Sequence, residues 1–262
     1  MTLAEHKKAL ACAVKAARLV GRLMRQNLHI DKKVNSATAH DIKLELDVRS
    51  QKLIEKTLLQ SFPKVAVLGE EGVSGDQSAD SRWVVDPIDG TVNFSYEIPH
   101  ACVSIALQTK DKTSGEYVTV VGVVYDPFCD ELWTAIRGQP SKLNGKVIHV
   151  SDRKALKDCI VSIGFAKSRS NLERTLPYFN VLVRRVRKIR LMGAAALAMT
   201  YVASGRFDAY FEQGIKLWDI AAGGLILECA GGEFWNEPVD SQHTYRLVAN
   251  NGYLRKKLQS LK

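Results

Sequence analysis

The sequence predicts a layered α/β protein, and three patterns point there. A capped amphipathic helix opens the chain, short β-rich runs fill residues 65–136, and strands alternate with helices after Asn144-Gly145. The patterns divide the chain into an N-terminal half, 1–145, and a C-terminal half, 146–262, packed as one compact unit.

The elements follow in order. Thr2-Leu3-Ala4-Glu5 is a capping box, in which the Thr hydroxyl and the Glu carboxylate satisfy free amides of a helix start. Leu10, Val14, Ala17, Met24 and Leu28 then recur at helical spacing, with Lys8, Lys15, Arg18, Arg22 and Arg25 opposite. A second helix is expected from Asp47 to Gln60, stopped by Pro63. Strands are expected at Val65–Leu68, Trp83–Val85, Ala101–Leu107, Tyr117–Tyr125 and Glu131–Ile136, with turns at Ser114-Gly115 and Asp126-Pro127. The second half should hold strands Cys159–Gly164, Phe207–Phe211 and Arg246–Ala249. Its helices should run over Leu172–Val186, Ala194–Ala203 and Asp219–Ala230.

Composition removes several classes of protein. Apolar residues are 46% and charged residues 25% of the 262, which argues against disorder. The most apolar stretch, Leu191–Ala203, is too short to cross a bilayer, and no secretory signal is visible at the N-terminus. Cys12, Cys102, Cys129, Cys159 and Cys229 are scattered without close pairs, so neither a disulfide framework nor a zinc cluster is expected. They read as reduced residues of a cytoplasmic protein.

Carboxylates gather where apolar runs end. Val65-Ala66-Val67-Leu68-Gly69 leads into Glu70-Glu71, Trp83-Val84-Val85 into Asp86-Pro87-Ile88-Asp89-Gly90-Thr91, and Leu217-Trp218 into Asp219. Strand ends are where layered α/β folds place ligand chemistry. A tight turn at Asp86–Thr91 could aim both Asp side chains and the Ile88 carbonyl at one spot. That all-oxygen cage suits Mg²⁺, and the Gly90 and Thr91 amides suit a phosphate. Each cluster has a plainer reading: a surface turn, a solvated Glu pair, a helix cap. Three together in a chain of net charge +9 favour a cation among them.

Gly69-Glu70-Glu71, Asp86-Pro87-Ile88-Asp89-Gly90-Thr91-Val92-Asn93-Phe94 and Trp218-Asp219-Ile220-Ala221-Ala222-Gly223 resemble the three signatures of the inositol monophosphatase family of lithium-sensitive, Mg²⁺-dependent phosphatases. The resemblance covers nearly the whole chain. It implies an αβαβα sandwich of the sugar-phosphatase type, a homodimer, and hydrolysis of a small polyol or sugar phosphate, foremost inositol 1-phosphate. It implies two to three Mg²⁺ ions: one on Glu70, Asp86 and the Ile88 carbonyl, one on Asp86, Asp89 and Asp219, a weaker one near Glu70 and Glu71. Glu70 and Thr91 would activate the attacking water, with Asp47 accepting from the Thr91 hydroxyl. The Gly90 and Thr91 amides would grip the phosphate. Gly193, Ala194, Ala195, Glu212 and Asp219 would meet the alcohol.

There are departures. Asp41–Asp47 aligns with a stretch that usually reads Asp-x-Val-Thr-x-x-Asp, with Lys43 for the valine and Leu44 for the threonine. The upstream lysine could be Lys32 or Lys33, and Val92 stands where Thr is common. Relatives of this kind also take fructose 1,6-bisphosphate, histidinol phosphate and 3′-phosphoadenosine 5′-phosphate. A rival reading makes the basic run Arg184, Arg185, Arg187, Lys188 and Arg190 a nucleic-acid or regulatory surface. No aromatics interleave with it, so a solvated face that draws phosphate esters is preferred.

Overall fold

The computed structural model describes residues 1–37, 42–165 and 168–259. The chain runs α1 (Leu3–Asn27), β1 (Val34–Ala37), β2 (Ile42–Leu44), α2 (Glu45–Ser61), β3 (Ala66–Gly69), β4 (Gly72–Ser74), β5 (Ser81–Asp89), α3 (Thr91–Ser95), β6 (Cys102–Lys110), β7 (Tyr117–Asp126), β8 (Glu131–Ile136), β9 (Lys142–Leu143) and β10 (Lys146–Val147). It continues through β11 (Ile160–Ile163), α4 (Arg169–Leu182), β12 (Lys188–Arg190), α5 (Ala195–Ala203), β13 (Ala209–Lys216), α6 (Leu217–Cys229), β14 (Glu233–Pro238), β15 (Thr244–Asn250) and α7 (Arg255–Gln259).

Two sheets form, an eight-stranded one in the order β10-β9-β8-β7-β6-β5-β3-β4 and a five-stranded one in the order β12-β11-β13-β15-β14. The helices make three layers around them. Ala9, Ala13, Ala16, Ala17, Val20 and Met24 of α1, with Ile54 and Leu58 of α2, bury against Trp83, Val85, Ile105 and Val123 on the outer face of the large sheet. Between the sheets lie α5 and α6, which bury most of their residues, as helices covered on both sides must. Leu182 of α4 and Leu258 of α7 cover Val161, Ile163 and Phe211 on the far face of the small sheet. The order of layers is αβαβα, as expected from the signatures.

The capping box at Thr2 and Glu5 starts α1, whose small residues bring it close to the sheet. Sequence placed the end of α4 at Val186; the helix starts at the Ser168 cap and stops at Leu182, because residues 188–190 pair with β11 as an edge strand. Strand β14 had no expected counterpart: its mix of Glu, Asn and Pro carries little apolar alternation, and its place comes from pairing with β15. Cys12, Cys102 and Cys159 are buried thiols, Cys229 is half-buried and Cys129 is exposed; all are free. No described helix is long and apolar enough to cross a membrane.

Candidate active site

Asp86 and Asp89 do not sit in the tight turn expected from the sequence. They lie within β5, which continues four residues past Val85. Asp86 pairs with Ser104 of β6 and Asp89 with Cys102, so three steps on β5 span two on its neighbour. That is a bulge with one extra residue. It decides the chemistry, because side chains three apart on a regular strand point to opposite faces. Pro87, which has no amide to donate, stands inside the bulge, where a ladder bond is already lost. Gly90 then takes φ +93° and starts α3. A side chain there would also meet the His100 carbonyl at 2.9 Å, so only glycine fits.

The second sheet's helices complete the site. The α6 helix starts two residues earlier than expected, with Lys216 as its cap, and Asp219 in its first turn accepts the Lys216 amide through Oδ2 at 3.0 Å. Asp89 reaches the start of α5, where its oxygens accept the Ala195 amide at 3.1 Å and the Ala196 amide at 2.7 Å. Ala194, the cap residue of α5, has no side-chain acceptor, so the carboxylate of Asp89 caps the helix from another sheet. Asp86, Asp89 and Asp219 thereby offer oxygens that all lie within 4.8 Å of one another.

Asp86 and Asp89 are buried, at 1% and 7% exposure. Burial, then the charges of Glu70, Asp89 and Asp219, push the Asp86 carboxyl well above the usual range, and it donates a hydrogen bond to Asp219. Burial raises Asp219 to about 7, with Asp89 adding to the rise. Burial raises Asp89 to about 6, against the pull of the two α5 amides. A group that costs this much to ionise together fits a hard divalent cation: the donors are all oxygen, they converge, and their repulsion is what a cation would relieve. The backbone carbonyl of Ile88 lies beside them on the cleft wall.

These residues line one cleft of about 670 Å³ between the two sheets. Glu70, Gly90, Thr91, Gly193, Ala194, Ala195 and Glu212 line it too, so most of the expected site residues meet. Two do not line it. Glu71, whose amide donates to Gln51 Oε1 at 2.8 Å, is one. Asp47 is buried in the first turn of α2, where its Oδ2 accepts the Leu44 amide at 2.7 Å. The Thr91 hydroxyl donates to the Ile88 carbonyl at 2.8 Å, so its single proton is not given to Asp47 here. Of the two lysines, Lys32 lies over the Phe94 ring at 5.2 Å while Lys33 pairs with Glu45 at 3.0 Å on the surface. Asp41 lies outside the described residues.

Some supporting residues were not singled out from sequence. The Asn93 amide donates to the carbonyls of His100 at 2.9 Å and Met192 at 2.8 Å, which ties the loop before α5 to the second signature. Tyr210 is buried and its hydroxyl donates to Glu212, whose carboxylate in turn fills the space over Gly164. Cys102 Sγ lies 3.5 Å from Asp89 Oδ2. The signal for Asn93 was its place three residues past Gly90. Tyr210 and Gly164 had none, because their roles depend on β11 and β13 lying side by side.

Comparison with known proteins gives one answer. The sequence model of the inositol monophosphatase family matches residues 5–260. Curated relatives include a Nus factor SuhB of Pasteurella multocida and an inositol monophosphatase of Mesembryanthemum crystallinum. Each is 37% identical, covering 85% of this chain and 83% of the relative. Among solved structures, extragenic suppressor protein suhB from Bartonella henselae superposes with a TM-score of 0.87 at 33% identity, covering 97% of this chain and 98% of that one. Inositol monophosphatase from Anabaena gives 0.83 at 32%, covering 97% and 95%.

Proposed function

The chain belongs to the inositol monophosphatase family and is a phosphatase of that family, and from that premise we propose that it is a Mg²⁺-dependent phosphomonoesterase of small polyol phosphates, foremost inositol 1-phosphate. The observation that carries the reading is the meeting of Asp86, Asp89 and Asp219 within 4.8 Å at the floor of a cleft large enough for a sugar phosphate. Those three carboxylates, Glu70 and the Ile88 carbonyl would hold the ions, with Glu71 assigned to the weaker one. Bound Mg²⁺ supplies charge neutralisation at the phosphate and a lowered pKa for the attacking water.

The chain's own groups do the rest. The Gly90 and Thr91 amides donate to phosphate oxygens, and the Thr91 hydroxyl orients the water once it turns from the Ile88 carbonyl toward Asp47. Glu70 accepts its proton at the carboxylate. Phosphoryl transfer needs mostly positioning and charge, so no Ser, Cys or His nucleophile is required. Glu212, held by Tyr210, accepts from hydroxyls of the leaving alcohol beside Gly193, Ala194 and Ala195. In the metal-free chain the Ala195 amide serves Asp89, so its service to substrate competes with that bond. The working form is a homodimer in the cytoplasm.

The test is kcat/KM with Mg²⁺ on inositol 1-phosphate, fructose 1,6-bisphosphate, histidinol phosphate and 3′-phosphoadenosine 5′-phosphate, with EDTA as control. Inositol 1-phosphate should lead and EDTA should abolish turnover. Full activity after exhaustive chelation overturns the metal reading, and preference for another ester overturns the substrate.

A second reading rests on relatives that carry the name Nus factor and on the exposed run Arg184, Arg185, Arg187, Lys188 and Arg190. It gives the chain a regulatory or nucleic-acid-binding role through that surface. RNA binding that survives EDTA and falls steeply with salt would support it.

A further inference from the structure

Arg82 opens β5, four residues before Asp86, or about 13 Å at ~3.3 Å per residue. It is 8% exposed. Arginine this deeply buried is nearly always paired with an acid. Here it is not. Its Nε donates to Gln108 Oε1 at 2.9 Å, and its plane lies on the Tyr117 ring at 3.8 Å. Among the described residues it makes no ion pair and its terminal nitrogens make no hydrogen bond. Burial without a counter-charge pulls the guanidinium below its usual value, though not far enough to unload it.

Arg82 lines a chamber of about 500 Å³, walled on one side by residues of α6. Leu217, Ile220, Leu225 and Phe234 make its apolar wall. The Tyr245 hydroxyl and the His243 imidazole also line it, and neither has a hydrogen-bond partner among the described residues. The remaining charges do not cancel Arg82. Arg137 and Glu228 neutralise each other at 2.9 Å, and Glu116 is exposed on the rim. The chamber thus presents a rigid two-pronged cation, two further polar groups and an apolar wall, the usual make-up of a small-molecule site.

We propose that this chamber binds the oxyanion headgroup of a small organic ligand, a phosphate or a carboxylate held in the fork of Arg82, independently of the catalytic cleft. The fork matches two oxygens of either group. Gln108 and Tyr117 fix the guanidinium before the ligand arrives, so little ordering is left to oppose binding.

Calorimetric titration of the full chain in EDTA, with inorganic phosphate and separately with malonate, tests this. Without metal the catalytic carboxylates repel both anions, so only the chamber should respond. One saturable site is expected for at least one probe, and the preferred probe tells phosphate from carboxylate. Asp86→Asn should retain that site. Arg82→Gln should weaken it at least tenfold while its hydrolysis of p-nitrophenyl phosphate with Mg²⁺ stays at the wild-type rate. If Arg82→Gln does not fold, Tyr245→Phe should weaken the site severalfold. Absence of binding to the wild type by both probes, or equal binding by Arg82→Gln, or by Tyr245→Phe where it replaces it, overturns the proposal and leaves Arg82 a hydrated structural residue.

Discussion

Replacing Asp219 by Asn should stabilise the metal-free protein, and by an amount that grows with pH. Asp219 titrates at about 7 in the fold, against an ordinary carboxyl value of 3.8. A shift of about three units is worth ~4 kcal/mol, and partial exposure of the side chain halves that to about 2 kcal/mol. The sign follows from the direction of the shift. A carboxyl whose folded value is raised binds its proton more tightly in the fold than in the unfolded chain. Its contribution is therefore full below pH 4 and is lost as pH rises through about 7. The amide introduced by Asp219→Asn does not titrate and can still accept the Lys216 amide through its side-chain oxygen.

The assay is thermal melting in EDTA, followed by far-UV circular dichroism, at pH 5 and pH 8. At pH 8 the variant should melt about 4–8 °C above the wild type, from ~2–4 °C per kcal/mol for a chain of this size. At pH 5 the gap should be much smaller. Comparing the two proteins matters because half-buried histidines work the other way. Burial holds His100 and His243 below their usual value, so they favour the fold as pH rises. They cancel in the difference. Saturating Mg²⁺ should reverse the order, raising the wild type above the variant. A gap that does not widen between pH 5 and pH 8, or a variant that melts below the wild type in EDTA at pH 8, would refute the account of the cluster.

The same cluster makes Mg²⁺ binding release protons near pH 6.5; calorimetry in buffers of different ionisation enthalpy should show at least one proton leaving per protein, and none would contradict the raised values of Asp86 and Asp219. Asp86→Asn should lower kcat at least about a hundredfold, ~2.7 kcal/mol of barrier, with unchanged circular dichroism; wild-type turnover would remove Asp86 from the metal site. Gly164→Ala places a methyl 1.8 Å from Glu212 Oε2, so the carboxylate must leave. It should copy Glu212→Ala: kcat/KM for inositol 1-phosphate falls roughly ten- to hundredfold, the effect of one unpaired polar contact, while p-nitrophenyl phosphate is hydrolysed as before. Equal losses on both esters would make Glu212 a prop of the fold.

What the sequence made legible was whatever depends on near neighbours. The Thr2–Glu5 cap, the strand Glu131–Ile136 and the central helix from Ala194 all carry their signal within a few residues. Asp86, Asp89 and Asp219 were legible as motif residues because carboxylates at the ends of apolar runs are conspicuous. Their geometry was not. A bulge is invisible in a string such as Asp-Pro-Ile-Asp, since it is defined by which residue of β6 stands opposite. The capping of α5 by Asp89 spans 106 and 107 positions, and no local pattern announces it. Arg82 stood unremarked just before the expected strand Trp83–Val85, because the chamber it lines forms only where β6, β7, α6 and β15 meet.

The three carboxylates also explain why the site is built from both sheets. Backbone amides pull against the rise of each carboxyl. Asp89 has two amides from α5 and rises least, to about 6; Asp219 has one, from Lys216, and rises to about 7. Asp86 has the Ile88 amide, at 3.0 Å, faces the other two and Glu70, and is pushed well above the usual range. Amides at the starts of α5 and α6 thus offset part of the repulsion, as the positive ends of helices do. That help is available only because both helices lie in the middle layer with their first turns at the end of β5. The fold spends stability on this cluster, and a bound divalent ion is what would return it.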